Sequence, residues 1–218
     1  MTKPRSKIAV EGFTMIAVLG VLAWVTALLG LSFLSLILAV ATFFTAYFFR
    51  DPDRETPMDP NAVIAPADGK VVEIGRAFED NFLNQEMMHI GIFLSITDCH
   101  INRLPVTGRV ISTKYTPGQF NKAYSSAASK ENEKLATLIE TEDKEQMVIV
   151  QIAGFIARRI VSYLKVGDIV EKGERFGMIK FGSRVDLYLP NRYEITAVLG
   201  DKVIGGETII GWLKGGEA

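Results

Sequence analysis

The sequence predicts a mainly β protein (α+β), with a pair of apolar helices at its N-terminus ahead of a β-rich domain. Three observations carry that expectation. From Gly12 to Phe49 no residue is charged. From Asn61 onward, short runs of Val, Ile, Leu and Phe are punctuated by Pro, Gly and Asp, the pattern of strands and turns. Between the two regions, Arg50–Pro60 carries three prolines, which suppress helix and mark a linker. The expected organisation is an anchor over 1–49, a linker over 50–60 and one domain over 61–218.

The uncharged run is nearly twice the roughly 20 residues that cross a bilayer core as one helix. Two helices, about 12–29 and 31–49, turning at Gly30-Leu31-Ser32, make a transmembrane helical hairpin with both ends on one side. Lys3, Arg5 and Lys7 before the run, with Arg50 and Arg54 after it, favour the cytoplasmic side of a cell membrane for both ends. A hairpin that dips in without spanning is the alternative. The run is too long for a signal peptide, and no small-residue cleavage site follows it. The short linker keeps the next domain near the bilayer surface.

Composition excludes several functions. A net charge of −1 gives no basic balance for nucleic acid. One cysteine excludes an internal disulfide, and with two histidines it leaves no thiolate–imidazole zinc set. No clustered aspartate motif suggests an oxygen-ligated metal, so no metal is expected. Cys99 reads as a small buried apolar residue.

Within the domain, Ala62–Ala65 and Lys70–Ile74 read as strands joined through Pro66-Ala-Asp-Gly69. Aspartate before glycine is ordinary turn chemistry, and on spacing alone Asp68 reads as structural. Met87–Ser95 is apolar at nearly every position and reads as a buried strand; His89 within it reads as a packed or surface residue. His100 follows closely, and on its residues alone it reads either as a satisfied structural histidine or as a group well placed for proton transfer near neutral pH. Val106–Tyr115, Leu135–Glu140 and Gln146–Ile152 read as further strands, with Thr141–Glu145 an exposed tip. Pro117–Asn121 is a turn, and Ser125–Glu133 a loop or short helix over the site. Gly154–Tyr163 is a short helix or a strand edge; its Arg158-Arg159 is either a solvated pair or a phosphate contact. Gly200–Gly211 reads as a β-hairpin.

The stretch Gly173–Pro190 is unusual. Phe176–Ile179 and Val185–Leu189 read as strands, the second alternating Val185, Leu187 and Leu189 with Arg184, Asp186 and Tyr188. Between them sits Gly182-Ser183, where an ordinary hairpin would place Asn-Gly or Asp-Gly. Gly182 lacks a Cβ, which leaves its carbonyl carbon open to attack, and Ser183 supplies the neighbouring hydroxyl. A serine hydroxyl needs activation to act as a nucleophile. A plain Gly-Ser turn is the competing reading of these residues alone.

Phe181-Gly-Ser-Arg-Val-Asp-Leu-Tyr-Leu-Pro190, Ala65-Pro-Ala-Asp-Gly69 and Asp98-Cys-His-Ile-Asn-Arg-Leu-Pro105 together resemble the phosphatidylserine decarboxylases, in particular their short form. The resemblance runs from about Phe48 to Trp212. It implies a proenzyme that cleaves itself between Gly182 and Ser183 and converts Ser183 to a pyruvoyl cofactor. That group forms a Schiff base with the substrate amine and releases phosphatidylethanolamine and CO2. The implied partners are the phospholipid phosphatidylserine, the membrane, and the large (1–182) and small (183–218) chains to each other as a heterodimer.

The resemblance also moves Asp68 into the site, as a residue that orients a partner or assists cleavage, and favours His100 as proton donor. One position departs from it. Longer members carry a second histidine, linked to self-cleavage, where this chain has Arg103, whose guanidinium is no base at working pH. Either His100 serves both steps or cleavage has other help.

Val166-Gly-Asp-Ile-Val-Glu-Lys-Gly-Glu174 has the cadence of barrel-sandwich folds such as lipoyl and biotinyl carriers. A barrel-sandwich-like domain is therefore expected, and a non-enzymatic tethered module is a rival function, although Lys180 in Met-Ile-Lys-Phe matches a carrier lysine only faintly. A pyruvoyl decarboxylase of another amine is the other rival.

Overall fold

A helix satisfies its backbone groups within one segment, and the uncharged N-terminal run forms two helices. The computed structural model describes residues 7–119, 131–154, 159–180 and 182–215. They fall into two compact units, 1–53 and 54–218. In the first, α1 (Val10–Leu28) and α2 (Ser32–Phe48) pack on each other as an antiparallel pair. The Ser35 hydroxyl donates across it to the Ala23 carbonyl (2.8 Å), while Thr26, Thr42 and Thr45 return their hydroxyls to carbonyls of their own helices. The two ends are tied together: Ile8 and Arg50 form an antiparallel bridge, and Asp51 N donates to Lys7 O at 2.7 Å. Trp24, Leu28, Phe33 and Phe43 remain largely exposed. By length and composition α1 can cross a membrane, with a mean hydropathy of 1.8. At 17 residues α2 is shorter, about 25 Å at 1.5 Å per residue.

The described elements of the second unit are strands. Its strands are β1 (Ala62–Ile64), β2 (Gly69–Glu79), β3 (Gln85–Leu94), β4 (Ile101–Arg103), β5 (Gly108–Thr116), β6 (Lys134–Glu140) and β7 (Gln146–Ile152). There follow β8 (Ile160–Ser162), β9 (Ile169–Val170), β10 (Arg175–Ile179), β11 (Ser183–Leu189), β12 (Tyr193–Ile195), β13 (Lys202–Val203) and β14 (Ile209–Leu213). An eight-stranded antiparallel sheet in the order β13-β2-β3-β11-β7-β6-β5-β9 is joined by two three-stranded sheets, β4-β10-β8 and β1-β14-β12. The core lies on one face of the large sheet, where Ile90, Ile92, Ile149, Val185, Leu187 and Leu189 meet Leu104, Phe176 and Ile179. Each such side chain contributes about 1.5–3 kcal/mol by leaving water.

Three local expectations change. β10 and β11 do not form a hairpin: β10 pairs with β4 and β8, and β11 with β3 and β7, so the two belong to different sheets. Position 182 is therefore a crossing and not a turn tip. The tail does not close on itself either, since β13 pairs with β2 and β14 with β1 and β12. β1 and β2 likewise belong to different sheets. In each case the local pattern identified strands, but distant partners took them. Residues 120–130 and 155–158, which include most of the expected loop over the site and Arg158, lie outside the described residues.

Candidate active site

Register brings the singled-out residues to one edge of the large sheet. Gly69 opens β2, Leu94 closes β3 and pairs with Ser183 at the start of β11, and Arg184 pairs with Ile152 at the end of β7. Asp68, the Ser95–His100 loop, Ser183 and Ala153 all lie at this edge. Gly182 has φ +49, a left-handed conformation that favours glycine. The Cβ it lacks would sit 3.9 Å from Ile96, so the face of this residue is open. Ser183 is fully buried, and its Oγ has no hydrogen-bond partner among the described residues. A buried hydroxyl left unpaired costs about 1–3 kcal/mol, and such atoms call for an explanation in function.

His100 is buried in the segment between β3 and β4. Asp98 folds the loop, accepting from Ser95 N (2.7 Å) through its carboxylate and donating its own N–H to Ser95 O (3.0 Å). The Asp98 carbonyl lies 3.0 Å from His100 Nδ1. A carbonyl can only accept, so Nδ1 carries a proton and donates it there. The His100 carbonyl accepts from Ile179 N (3.4 Å), which sets this loop beside the strand that leads into Gly182-Ser183.

Asp68 accepts a bidentate pair from Arg54 Nη2 (3.0 and 2.8 Å) and a bond from Gly205 N (2.8 Å). Arg54, which sequence reading placed in the linker, is thus a site-edge cation. Arg103 is buried, donates to the Gly173 carbonyl (3.1 Å) and takes Pro66 O at its backbone N (2.8 Å). Asn132 donates to Ala153 O (2.7 Å), and Ala153 N donates to Glu133 O (2.9 Å), which fastens the strand end beside Ser183.

A buried amide pair was missed by sequence reading. Gln151 Nε2 donates to Asn102 Oδ1 at 2.8 Å, and Gln151 Oε1 and Asn102 Nδ2 are buried without partners among the described residues. Gln151 pairs with Val185, so it shares a face with Ser183 as its diagonal neighbour, within reach of a long side chain. A lone Gln in a run of Val and Ile was the available signal.

On the opposite face of β11, charges are fully engaged. Arg184 donates to Asp186 Oδ1 (2.5 Å) and Glu73 Oε2 (2.7 Å), and His89 Nε2 lies 3.3 Å from Asp186 Oδ2. Burial alone would raise the Asp186 carboxyl; His89 and Arg184 outweigh it and hold the group below its usual value. Burial would lower the Arg184 guanidinium, but Asp186 and Glu73 raise it. His89 also stacks on Tyr188, with ring centroids 4.8 Å apart. It is a packed residue, as its place in the strand suggested.

The arrangement places a buried serine hydroxyl next to a glycine with open space where its Cβ would be, and a buried histidine in the loop at the same edge. A family model described as phosphatidylserine decarboxylase matches residues 41–211. This chain belongs to the phosphatidylserine decarboxylase family. It is 46% identical over 213 residues to a phosphatidylserine decarboxylase proenzyme of Geotalea uraniireducens, covering 98% of this chain and 100% of that one. Proenzymes of the same name from Syntrophotalea carbinolica and Geobacter metallireducens are each 44% identical, again over 98% of this chain and all of theirs. Family membership agrees with the resemblance carried by the three motifs, and each motif contributes residues to the sheet edge just described.

Proposed function

We propose that this chain is a membrane-anchored proenzyme that decarboxylates phosphatidylserine to phosphatidylethanolamine, using a pyruvoyl group made from Ser183 by self-cleavage after Gly182. The observation that carries the reading is the Ser183 hydroxyl, buried and unpaired next to a glycine carbonyl at a chain crossing. Membership of the family supplies the reaction.

In self-cleavage, Ser183 Oγ loses its proton and adds to the Gly182 carbonyl carbon, and the peptide nitrogen leaves as an amine, giving an ester. Loss of the residue 183 Cα proton and cleavage of its Cβ–O bond release Gly182 as a carboxylate and leave dehydroalanine. Water then converts residue 183 to pyruvoyl with loss of ammonia. The residues fit that origin, since the group needs no binding pocket of its own: it remains covalently on β11. Its carbonyl supplies the electron sink that a carbon losing CO2 requires. His100, with Nε2 able to take up a proton and hand it on, delivers the proton to that carbon. Asp68 orients Arg54 and assists cleavage at this edge.

Residues 1–49 form the anchor, as a hairpin that spans or re-enters the membrane, and 50–60 the linker. Residues 61–218 form a barrel-sandwich-like catalytic domain on the cytoplasmic side of the cell membrane, the side favoured by Lys7, Arg50 and Arg54. Anchoring makes the encounter with a bilayer-bound substrate local. Residues 1–182 and 183–218 remain together as a heterodimer.

Intact mass under denaturing conditions tests the reading. Two fragments are expected, the smaller bearing pyruvoyl in place of serine; a single chain of 24.1 kDa overturns it. Turnover of phosphatidylserine but not of soluble serine separates a lipid decarboxylase from one acting on another amine.

A further inference from the structure

Once the bond after Gly182 is cut, residue 183 is held covalently from one side only, through residue 184. As pyruvoyl it also lacks an N–H, so one means of fixing it to the neighbouring strands is gone. Whatever fixes residue 184 therefore fixes the reactive carbonyl.

Residue 184 is an arginine with no exposed surface, in the middle of a β-sheet. Its side chain leaves β11 and lies over β3, one inter-strand spacing of about 4.8 Å away, where the Glu73 carboxylate reaches it from β2. The passage is open because the residue beneath it is Gly91: a Cβ there would collide with the Arg184 guanidinium and stand 3.0 Å from Asp186 Oδ1. At the far end the guanidinium meets Glu73 Oε2 at 2.7 Å, and on its own strand Asp186 Oδ1 at 2.5 Å. Glu73 faces Arg184 because of an irregularity in β2. Val71 pairs with Ile92 and Glu73 with Gly91, so Val72 is the extra residue of a bulge. Without it, strict alternation from Val71 would turn Glu73 toward the core. The bulge, Gly91 and the two carboxylates thus serve one side chain.

We propose that Arg184 is a positioning residue for the pyruvoyl group, clamped by Asp186 within the small chain and by Glu73 of the large chain. The clamp crosses the cleavage junction: Arg184 and Asp186 lie after it, Glu73 and Gly91 before it. It holds the new chain end in the place where it was formed. The inference rests on the proposed conversion of Ser183, and the experiment keeps the two apart.

Full-length Glu73→Gln, Arg184→Met and Arg184→Lys proteins are compared with wild type in detergent micelles. Three quantities are measured: carbonyl content per chain, the rate at which that carbonyl reacts with phenylhydrazine, and kcat and KM on phosphatidylserine per carbonyl. Wild type without a carbonyl overturns the reading of Ser183 itself. With the carbonyl present, Arg184→Met is expected to lower kcat by about 10²-fold, the scale of a misplacement of about 1 Å, with little change in KM. The same variant should speed the hydrazine reaction severalfold. Arg184→Lys should recover part of both, because a lysine reaches Asp186 but cannot hold both carboxylates in one plane. Glu73 is the solvent-facing end of the clamp, so Glu73→Gln keeps the fold and is expected to shift both quantities in the same direction by a smaller factor. If processed Glu73→Gln and Arg184→Met match wild type in hydrazine rate and kcat, the clamp does not position the group. If Arg184→Met fails to fold, Glu73→Gln alone decides by the same two measurements.

Discussion

The two faces of β11 are built from the same seven residues and treat polarity in opposite ways. One face carries Val185, Leu187 and Leu189 into the core and ends on Ser183, whose hydroxyl is buried and has no described partner. The other carries Arg184 and Asp186, equally buried, with ion pairs at 2.5 and 2.7 Å and His89 at 3.3 Å. Burial therefore does not distinguish chemistry from architecture in this strand; satisfaction does. A satisfied charge is held still, whereas an unsatisfied hydroxyl retains its capacity to react.

The sharpest way to break this contrast is Ser183→Ala. The chain should stay whole, carry no carbonyl and lose all decarboxylase activity. Stability should not fall and should rise by up to about 1–3 kcal/mol, because the variant removes a buried hydroxyl that has no bond to lose. Mass spectrometry and a urea titration check both halves, and an active Ser183→Ala protein ends the account.

The two histidines sharpen the contrast next. His100→Ala should slow decarboxylation by about 10²–10⁴-fold, the usual worth of a positioned proton-transfer group, and should also slow chain cleavage. His89→Ala should leave the carbonyl content near wild type and cost about 1.5–3 kcal/mol of stability, through the lost contact to a charged partner. Equal kinetic effects from the two would remove the reason to separate them.

Gln151→Leu is an intermediate case. It leaves both amide groups of Asn102 buried without a partner, at a cost of about 1–3 kcal/mol. The double variant Gln151→Leu/Asn102→Leu should recover part of that stability, since removing both partners avoids an orphan. A double-mutant cycle in urea shows whether it does.

The smallest effect is one of pH. The folded Asp186 carboxyl lies below its ordinary value, so the folded state binds its proton less readily than the unfolded state. Its contribution is present in full above the ordinary value of 3.8 and is lost as pH falls from there through the folded value. Burial would raise the Glu79 carboxyl, but hydrogen bonds from Leu83, Asn81 and Phe82 hold it below its ordinary 4.5. Stability of wild type measured from pH 6 to pH 3 should therefore hold to about pH 4.5 and bend downward below it, with Asp186 joining from about pH 4. A decline already complete at pH 5 would place the responsible group elsewhere.

How far these features could be read from the residues depended on the range of their partners. The helices were legible because the absence of charge from Gly12 to Phe49 is itself the cause of the structure. Most strands were legible from alternation and from their turns. Ser183 stood out through Gly182 beside it and through the motifs around it. What local pattern could not supply was partner choice: nothing in Phe176–Ile179 says that it pairs with Ile101–Arg103 and not with the strand after Ser183. The Arg54–Asp68 pair joins a proline-rich linker to a turn, and only folding brings them to 2.8 Å. The bulge at Val72 was hidden because Lys70–Ile74 reads as an unbroken strand. Arg184 and Asp186 gave a usable signal, since two charges inside a strand flanked by core residues require buried partners, but those partners lie on β2 and β3.

The position of β11 has a consequence for how the molecule ages. It lies between β3 and β7, with β13 and β14 bound to β2 and β1, so a cut before residue 183 leaves the C-terminal piece threaded through the body of the fold. Before the cut, folding is a one-chain problem. Afterwards, a molecule that unfolds sheds a central strand into solution and must find it again by diffusion. The uncut chain is governed by an equilibrium, and the cut one by the rate at which it first opens. On the proposed cleavage, activation turns a protein that can be repaired by refolding into one with a finite lifetime.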